Sequence, residues 1–308
     1  LRERVLEGES VDLTDRFGPG GGVEDLNPRP FALWLRQHKE PLLRTLLAVL
    51  IALSAFAALT SWSRGALLSL TATALLLDFL RTVGARVSHY IPHRRKEGYG
   101  LQVHHIRERI LPGGYRLVIT VDCGISSHDA VQAASAEGID VIITDHHLPS
   151  EHLPEAVAVI NPKREDCRAG LDHLAGVGMA FYLLIELRRQ LRARHFWQDR
   201  PEPNLKQFCS LVALGTIADM VPLIEENRAF IRAGLPSMTA RPGIKALMAA
   251  SRIHPDRVAS DDVAFRLAPR LNAAGRVAHA SLALRLLTTD NPRHAERMAR
   301  TLDRLNTR

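Results

Sequence analysis

Two short segments decide the fold of this chain: LVITVDCG at 117–124 and VIITDHH at 141–147. Each is a run of β-branched and aliphatic residues that ends abruptly in polar side chains, as expected of a buried strand that stops at the edge of a sheet. The stretch between them, 126–137, has helical spacing. A strand, a helix and a second strand in this order predict a βαβ unit with parallel strands.

The same alternation continues on both sides of these segments. Further β-branched runs at 87–91 and 157–160 predict two more strands, and apolar spacing predicts buried helices at 173–192 and 204–217. The segment 281–308 has the pattern of one or two Arg-rich amphipathic helices. We therefore expect an α/β fold with a parallel β-sheet flanked by helices, followed by an α-helical connecting segment.

The composition suits a large globular chain with a basic surface. Of its 308 residues 46% are hydrophobic, the formal net charge is +7, and the pI is about 9.8. This balance is compatible with a polyanionic partner, although a merely soluble basic protein has the same charge. The three cysteines form no C-x-x-C pair, and the first residues lack the pattern of a secretory signal. We expect a reducing, cytoplasmic location.

One apolar run permits two interpretations. Thr45 to Trp62 contains no charge and lies between Arg44 and Arg64, so it is long enough for a transmembrane helix. Its many Ala, Ser and Thr residues make insertion weak, and runs of this kind also occur as buried helices. We favour a chain without a membrane span.

Polar side chains follow the predicted strands at the points where ligands bind in parallel sheets. Asp122 follows the first strand, and the triplet Asp145–His147 follows the second. Because adjacent parallel strands end at the same edge, we expect these groups to lie together. Asp219, at the end of an apolar helical run, needs a partner of opposite charge. Carboxylates with imidazoles are typical ligands of divalent transition metals.

Each of these residues also has an ordinary structural interpretation. Asp122 stands before a Cys-Gly pair and fits a turn at a strand end. His146 and His147 fit hydrogen-bonded surface histidines, and Asp219 fits a helix cap or an ion pair. An acid and two imidazoles at one strand end are more polar than packing requires, so the joint pattern favours a metal site.

The motifs of the chain, in order, resemble those of the DHH phosphoesterase family, and within it the branch of bacterial single-strand DNA exonucleases. The resemblance covers residues 71–308 and rests on the segments IPHR (91–94) with EGYG (97–100), DCG (122–124), DHH (145–147), GVGMAF (176–181), GTIAD (215–219) and APRLNAAGR (268–276).

The resemblance implies an enzyme that uses Mn²⁺ or Mg²⁺ to remove nucleotides from the 5′ end of single-stranded DNA in recombination and repair. It implies a two-metal site, with a single-strand-binding protein and a helicase as candidate partners of a monomeric enzyme. The residue roles that it implies are metal ligation by Asp122, His146 and Asp219, catalysis by Asp145 and His147, and nucleic-acid binding by Arg94, Arg270, Asn272 and Arg276.

The chain departs from the family at one motif. The family's aspartate-rich loop, of the form D-Y-D-x-D-G, is expected just before 70–77, where Arg64, Ala66 and Leu68 occupy the aspartate positions. No stretch from 17 to 69 resembles the family. A shifted reading frame in the coding sequence and a genuine divergence with loss of the acids both explain this pattern, and resequencing of the coding DNA distinguishes them. We expect an impaired enzyme.

The resemblance also suggests a division of the chain, with two alternative functions. We expect a divergent segment at 1–69, a DHH phosphoesterase domain at 70–237, and a helical segment at 238–308 that leads towards a second domain. The first alternative is a catalytically silent DNA-binding or scaffold protein of the same family. The second is a membrane-tethered phosphodiesterase for cyclic dinucleotides or very short RNA, which only the run Thr45–Trp62 favours.

Overall fold

The computed structural model describes the backbone of residues 49–53, 65–92, 97, 100–277 and 280–307. Side chains are described for all of these except 49–53, 65–68, 276 and 277.

A parallel sheet forms the centre of the fold. Within the described residues it has five strands in the order β2-β1-β3-β4-β5, and every neighbouring pair is parallel. The strands are β1 (Val49–Leu53), β2 (Val87–Tyr90), β3 (Leu117–Val121), β4 (Asp140–Thr144) and β5 (Ala158–Ile160).

Helices connect the strands and make up the described chain after β5. They are α1 (Gly65–Thr82), α2 (Val103–His105, continued by a π-helical turn at Ile106–Ile110), α3 (His128–Ala136), α4 (Gly176–Ala193), α5 (Cys209–Asp219), α6 (Glu225–Gly234), α7 (Pro242–Ala250), α8 (Ser260–Asp262, continued by a π-helical turn at Val263–Leu267), α9 (Ala268–Val277), α10 (Ser281–Thr288) and α11 (Pro292–Asn306). Short 3-10 turns lie at Leu205–Phe208, Leu235–Ala240 and Pro255–Arg257.

The strands bury both of their faces, because helices cover the sheet on both sides. In β3, Leu117, Ile119 and Val121 belong to the large hydrophobic core, whereas Val118 belongs to a smaller core on the opposite face. This alternation follows from the period of two in a strand, where successive side chains point to opposite faces. Continuous apolar runs such as LVITV are therefore what a doubly covered parallel strand requires.

The predicted α/β architecture is confirmed, with one strand that the sequence analysis did not foresee. The predicted strands at 117–121 and 141–144 correspond to β3 and β4, and the predicted helices correspond to α3, α4 and α5. Val49–Leu53, inside the apolar run Thr45–Trp62, forms a strand between β2 and β3 rather than part of a helix. A short apolar run has no period that separates a buried strand from a buried helix.

The rest of the run Thr45–Trp62 lies outside the described residues. Among the residues that the structure does describe, no helix is both long and apolar enough to cross a membrane.

The helical segment after the sheet is also confirmed for its described part, since only helices and turns follow 238 there. The boundary expected at 69/70 falls within α1 (Gly65–Thr82), and β1 comes from the segment before it. The division into three parts therefore stays a prediction.

His105, the last residue of α2, is a buried histidine beside the smaller core. His105 is fully buried, and its Nδ1 accepts a hydrogen bond from the backbone N–H of Gln102 at 3.1 Å. Its ring packs edge-on against Tyr90 at 5.2 Å between centroids. Burial, together with the neighbouring His104, lowers the pKa of His105 to about 4. The ring is therefore neutral at neutral pH, as its role as an acceptor requires.

We predict that His105 makes the fold sensitive to mild acid. Its pKa is lower in the folded chain than the ordinary 6.5, so its contribution to stability is present above pH 6.5 and is lost as the pH falls towards 4. Between pH 7 and 4 the free energy of unfolding should decrease by about 2 to 3 kcal/mol more in the unchanged chain than in His105→Asn. Asn keeps an acceptor but does not titrate. Urea unfolding at several pH values measures the difference, and equal pH slopes for the two proteins would contradict this assignment.

Candidate metal centre at the carboxyl edge of the sheet

The site begins where β3 and β4 end. The register pairs Val121 with Thr144, and the Asp122 N–H donates to the Thr144 carbonyl at 2.8 Å, so the residues after both strands meet at one edge. Asp122 has a φ of 60°, a left-handed conformation that is uncommon outside glycine. Such backbone strain persists only where surrounding structure enforces it. The sequence prediction that Asp122 and the triplet Asp145–His147 lie together is therefore consistent with the geometry.

Asp145 organises the loop after β4. Its Oδ1 accepts the backbone N–H groups of His146 at 2.8 Å and His147 at 3.1 Å, and its Oδ2 accepts the N–H of Ile125 at 3.1 Å. The His147 Nδ1 lies 2.6 Å from the same Oδ1. Burial raises the pKa of Asp145, but these hydrogen bonds outweigh it and hold the pKa below the usual value. The carboxylate thus orients the His147 ring and connects the turns that follow β3 and β4.

His146 directs one ring nitrogen towards two carboxylates. Its Nδ1 lies 3.2 Å from the carbonyl oxygen of Leu174, which can only accept, so Nδ1 carries a proton. Its Nε2 lies 3.1 Å from Asp122 Oδ1 and 3.5 Å from Asp219 Oδ2. In a metal-binding histidine, one ring nitrogen usually donates its hydrogen to a backbone carbonyl or a carboxylate. This fixes the tautomer and leaves the lone pair of the other nitrogen for the metal.

Three buried polar atoms at this point have no hydrogen-bond partner among the residues that the structure describes: Asp122 Oδ1, His146 Nε2 and Asp219 Oδ2. Unsatisfied buried polar atoms are costly, and here the His146 Nε2 lies within 3.5 Å of both carboxylate oxygens. A positive charge beside His146 would offset the negative charge of both carboxylates. Two carboxylate oxygens and one imidazole nitrogen fit a divalent cation such as Mn²⁺ or Mg²⁺.

The pKa values of His146 and Asp219 reflect the negative charge that is concentrated in the cluster. Burial lowers the pKa of His146, but the carboxylates of Asp122 and Asp219 outweigh it and raise the pKa to about 9. For Asp219, burial raises the pKa to about 6, aided by the neighbouring Asp122 and opposed by His146. A proton on His146 and a cation in the cluster are therefore alternatives for the same negative environment.

His147 lies close enough to contribute a ligand as well. Asp122, His146 and His147 offer nitrogen or oxygen atoms that all lie within 4.8 Å of one another. About a third of the His147 side chain is exposed, in contrast with the buried His146. The sequence analysis assigned His147 to catalysis, and the geometry allows either role.

Two neighbours of Asp122 were missed by the sequence analysis. The Ser69 hydroxyl, in the first turns of α1, donates to Asp122 Oδ2 at 3.2 Å. Gly176, the first residue of α4, lies so close that a Cβ there would overlap the Asp122 carboxylate. The start of α4 therefore lies directly against the Asp122 carboxylate. The signal for Gly176 was present in the motif GVGMAF, but its contact was not foreseeable.

A second polar cluster supports the loop that holds His146. The Nε2 of His173, next to Leu174, lies at hydrogen-bonding distance, 2.9 Å, from Oε2 of Glu226. The Asn227 side-chain amide donates to the carbonyl oxygens of His173 at 2.7 Å and Pro222 at 2.9 Å. The contacts of Glu226 and Asn227 with His173 connect the start of α6 to the residue before Leu174. The carbonyl of Leu174 fixes the tautomer of His146. The sequence analysis did not identify these residues.

Two of the predicted DNA-binding residues, Arg270 and Asn272, have described side chains. Arg270 donates to Asp303 at 2.8 Å and to the Arg266 carbonyl, so its guanidinium is engaged within the helical segment. Asn272 is buried, and its Oδ1 has no hydrogen-bond partner in the described chain. Arg94 and the side chain of Arg276 lie outside the described residues. Nucleic-acid binding by these four residues stays a prediction.

Comparison with known proteins supports the fold described above. Residues 69–216 match the DHH family, N-terminal domain. This range contains β2 to β5 and ends three residues before Asp219. The chain belongs to the DHH family.

Within that family the chain is similar to RecJ, the single-stranded-DNA-specific exonuclease. It is 45% identical to RecJ of Salmonella typhimurium and 43% identical to RecJ of Escherichia coli, in each case over 242 residues. Each alignment covers 77% of this chain and 42% of the relative. The chain thus spans less than half the length of these curated relatives.

A solved structure supports the same relationship. A crystal structure of exonuclease RecJ bound to manganese superposes with a TM-score of 0.72 and 33% identity, over 93% of this chain and 66% of that one. A second RecJ structure, in complex with Mn²⁺ from Thermus thermophilus, gives a TM-score of 0.69 and 31% identity, covering 92% of this chain and 37% of the other.

We predict that Gly176→Ala weakens cation binding at this edge. The added methyl group overlaps the Asp122 carboxylate, which must then move away from His146. We expect the affinity for Mn²⁺, measured by calorimetry, to fall by at least about tenfold, which corresponds to about 1.4 kcal/mol. Gly178→Ala is the matched control in the same helix, because its methyl group would meet Leu174 at an ordinary contact distance of 3.4 Å. Equal affinities for both variants would contradict the proposed role of Gly176.

Proposed function

We propose that the chain is the catalytic core of a RecJ-like 5′-to-3′ exonuclease that hydrolyses phosphodiester bonds in single-stranded DNA. The observation that carries the proposal is the approach of two carboxylate oxygens, Asp122 Oδ1 and Asp219 Oδ2, to His146 Nε2, where none of the three buried atoms has a hydrogen-bond partner among the described residues. The similarity to RecJ exonucleases supports the substrate and the reaction. Because the chain spans less than half of those relatives, both remain proposals.

Asp122, His146 and Asp219 would hold a divalent cation, Mn²⁺ or Mg²⁺, with His147 close by. A cation bound there supplies positive charge that stabilises a phosphate under attack and lowers the pKa of water. The donor set of oxygens and one nitrogen suits both metals. A second cation, as the two-metal pattern of the family implies, would need carboxylates beyond these.

The remaining residues of the edge position the substrate. Asp145 holds the His147 ring by its Nδ1–H, which leaves the lone pair of that ring on Nε2. A cleft of about 600 Å³ adjoins this pair, and its lining includes Gln102, Ser126 and Ser127. We place the terminal nucleotide in this cleft. In this arrangement His147 meets the scissile phosphate, and Asp145 maintains its orientation.

The missing acids bear directly on this site. Ser69 contacts Asp122, so the residues just before it lie next to the metal centre. There the chain has no Asp or Glu between 41 and 77, although the family's aspartate-rich loop is expected in this interval. Ala66 and Leu68 lie in α1, and Arg64 lies outside the described residues. We therefore propose that the enzyme is impaired in this form.

The biological setting follows from the same resemblance. We propose a cytoplasmic, monomeric enzyme of DNA recombination and repair that receives its single strand from a helicase or a single-strand-binding protein. Residues 70–237 form the DHH phosphoesterase domain, and residues 238–308 form the helical segment after it.

We predict that Mn²⁺-dependent digestion of a 5′-phosphorylated single strand is slower than that by Escherichia coli RecJ by at least about a thousandfold. Loss of two carboxylates removes several kcal/mol of charge stabilisation from the transition state, and about 1.4 kcal/mol corresponds to a factor of ten. Timed release of mononucleotides measures the rate. Digestion at the rate of the relative would contradict the impairment.

The residual activity should still depend on the metal centre. We expect Asp219→Asn to remove it, because this change replaces the carboxylate beside His146 with a neutral amide. Asp172→Asn, at an exposed acid, is the control and should leave the rate unchanged. Residual activity that survives Asp219→Asn would overturn the proposed site while leaving the fold assignment intact.

A further inference from the structure

The last helix, α11, has one face that consists only of arginine. Ala295, Ala299 and Leu302 are buried against the neighbouring helices. The opposite side of the helix carries four exposed arginines: Arg293, Arg297, Arg300 and Arg304. At 100° per residue, these four fall within a sector of about 60° centred opposite the buried residues, and no other residue type falls within it. We call these four residues the arginine stripe.

The charge of the arginine stripe is not cancelled by nearby acids. Arg300 pairs with Glu296 at 3.2 Å, but both side chains are more than half exposed, and such surface pairs are weak. Asp303, on the flank of the helix, is committed to Arg270 at 2.8 Å. No carboxylate among the described residues forms an ion pair with Arg293, Arg297 or Arg304. The stripe thus presents unneutralised positive charge to solvent.

The surroundings of the stripe extend this charge. Between 238 and 307 the chain has twelve Lys and Arg residues against six Asp and Glu residues, so most of its net charge of +7 resides there. A groove of about 640 Å³ lies between α7 and α11, and Lys245, Arg300 and Glu296 are the charged residues that line it. Small side chains such as Ala246 and Ala249 line this groove, so an extended chain can approach closely.

We propose that the arginine stripe, with Lys245, binds the sugar-phosphate backbone of single-stranded DNA outside the catalytic edge. Guanidinium groups suit phosphate oxygens because their planar N–H donors form paired hydrogen bonds. The stripe extends for about 16 Å along the helix axis, enough for about three or four phosphates. A linear array of this kind contacts no bases, and it suits a nuclease that holds single strands of any sequence. The inference rests on the proposed function for the identity of the polyanion.

The test is a binding titration without divalent cations, so that it does not depend on the metal centre. A fluorescently labelled single-stranded oligonucleotide of about two dozen nucleotides is titrated in EDTA at several salt concentrations, with fluorescence anisotropy as the readout. The quadruple variant Arg293→Gln/Arg297→Gln/Arg300→Gln/Arg304→Gln should bind at least about tenfold more weakly at low salt. Its slope of log K against log salt should be shallower by about 2 to 3, because a single strand loses about 0.7 per phosphate contact.

Two matched double variants distinguish an effect of the arginine stripe from an effect of net charge alone. Arg297→Gln/Arg304→Gln removes two charges from the stripe, whereas Arg107→Gln/Arg232→Gln removes two exposed charges elsewhere. Glutamine preserves helix propensity on the solvent face, and circular dichroism checks that each variant folds. We expect the first pair to lose affinity and the second to retain it.

Three results would overturn the inference. Equal losses for the two pairs would assign the effect to net charge, and unchanged binding by the quadruple variant would exclude the stripe. No binding by the unchanged chain at low salt would also refute it. Failure of the proposed hydrolysis is a separate outcome, because the chain can bind the strand through the stripe without cleaving it.

Discussion

The structure depends on one electrostatic constraint at the end of a parallel sheet. There His146 Nε2 lies within 3.5 Å of Asp122 Oδ1 and Asp219 Oδ2, and these three buried atoms have no hydrogen-bond partner among the described residues. Burial of this kind is costly unless a positive charge compensates for it. The surrounding features serve to hold these atoms in place. They include the left-handed backbone at Asp122, the absence of a side chain at Gly176 and the Leu174 carbonyl on His146.

Under the proposed function, the chain retains one half of a metal centre and lacks the acids that the family resemblance implies beside it. Ser69, which contacts Asp122, marks where the missing loop would join the site. A nuclease built on two cations needs both groups of ligands, so loss of one group reduces catalysis more than it disturbs the fold. The basic helical segment does not depend on that loop. Under the proposed function, binding of a single strand and its cleavage are therefore separable.

Much of the fold was predictable from sequence because a doubly covered parallel sheet imposes a clear pattern. The runs 117–121 and 141–144 end in polar residues, which fixed both the strands and the edge where Asp122 and Asp145 meet. The strand at Val49–Leu53 was not predictable, since a short apolar run without periodicity suits a helix equally well. Contacts distant in sequence, such as Gly176 against Asp122 and Asn227 against the His173 carbonyl, have no local signal. The family motifs marked some of these positions without revealing what they touch.

The central claim is that Asp122, His146 and Asp219 form a cation site that persists without the acid loop. Titration of the unchanged chain with Mn²⁺ by calorimetry, beside Asp219→Asn and a variant with aspartates at positions 64, 66 and 68, tests it most directly. The account predicts one bound cation in the unchanged chain, none in Asp219→Asn at the same concentrations, and two in the variant with aspartates restored. Absence of binding by the unchanged chain, or binding that Asp219→Asn leaves intact, would contradict it.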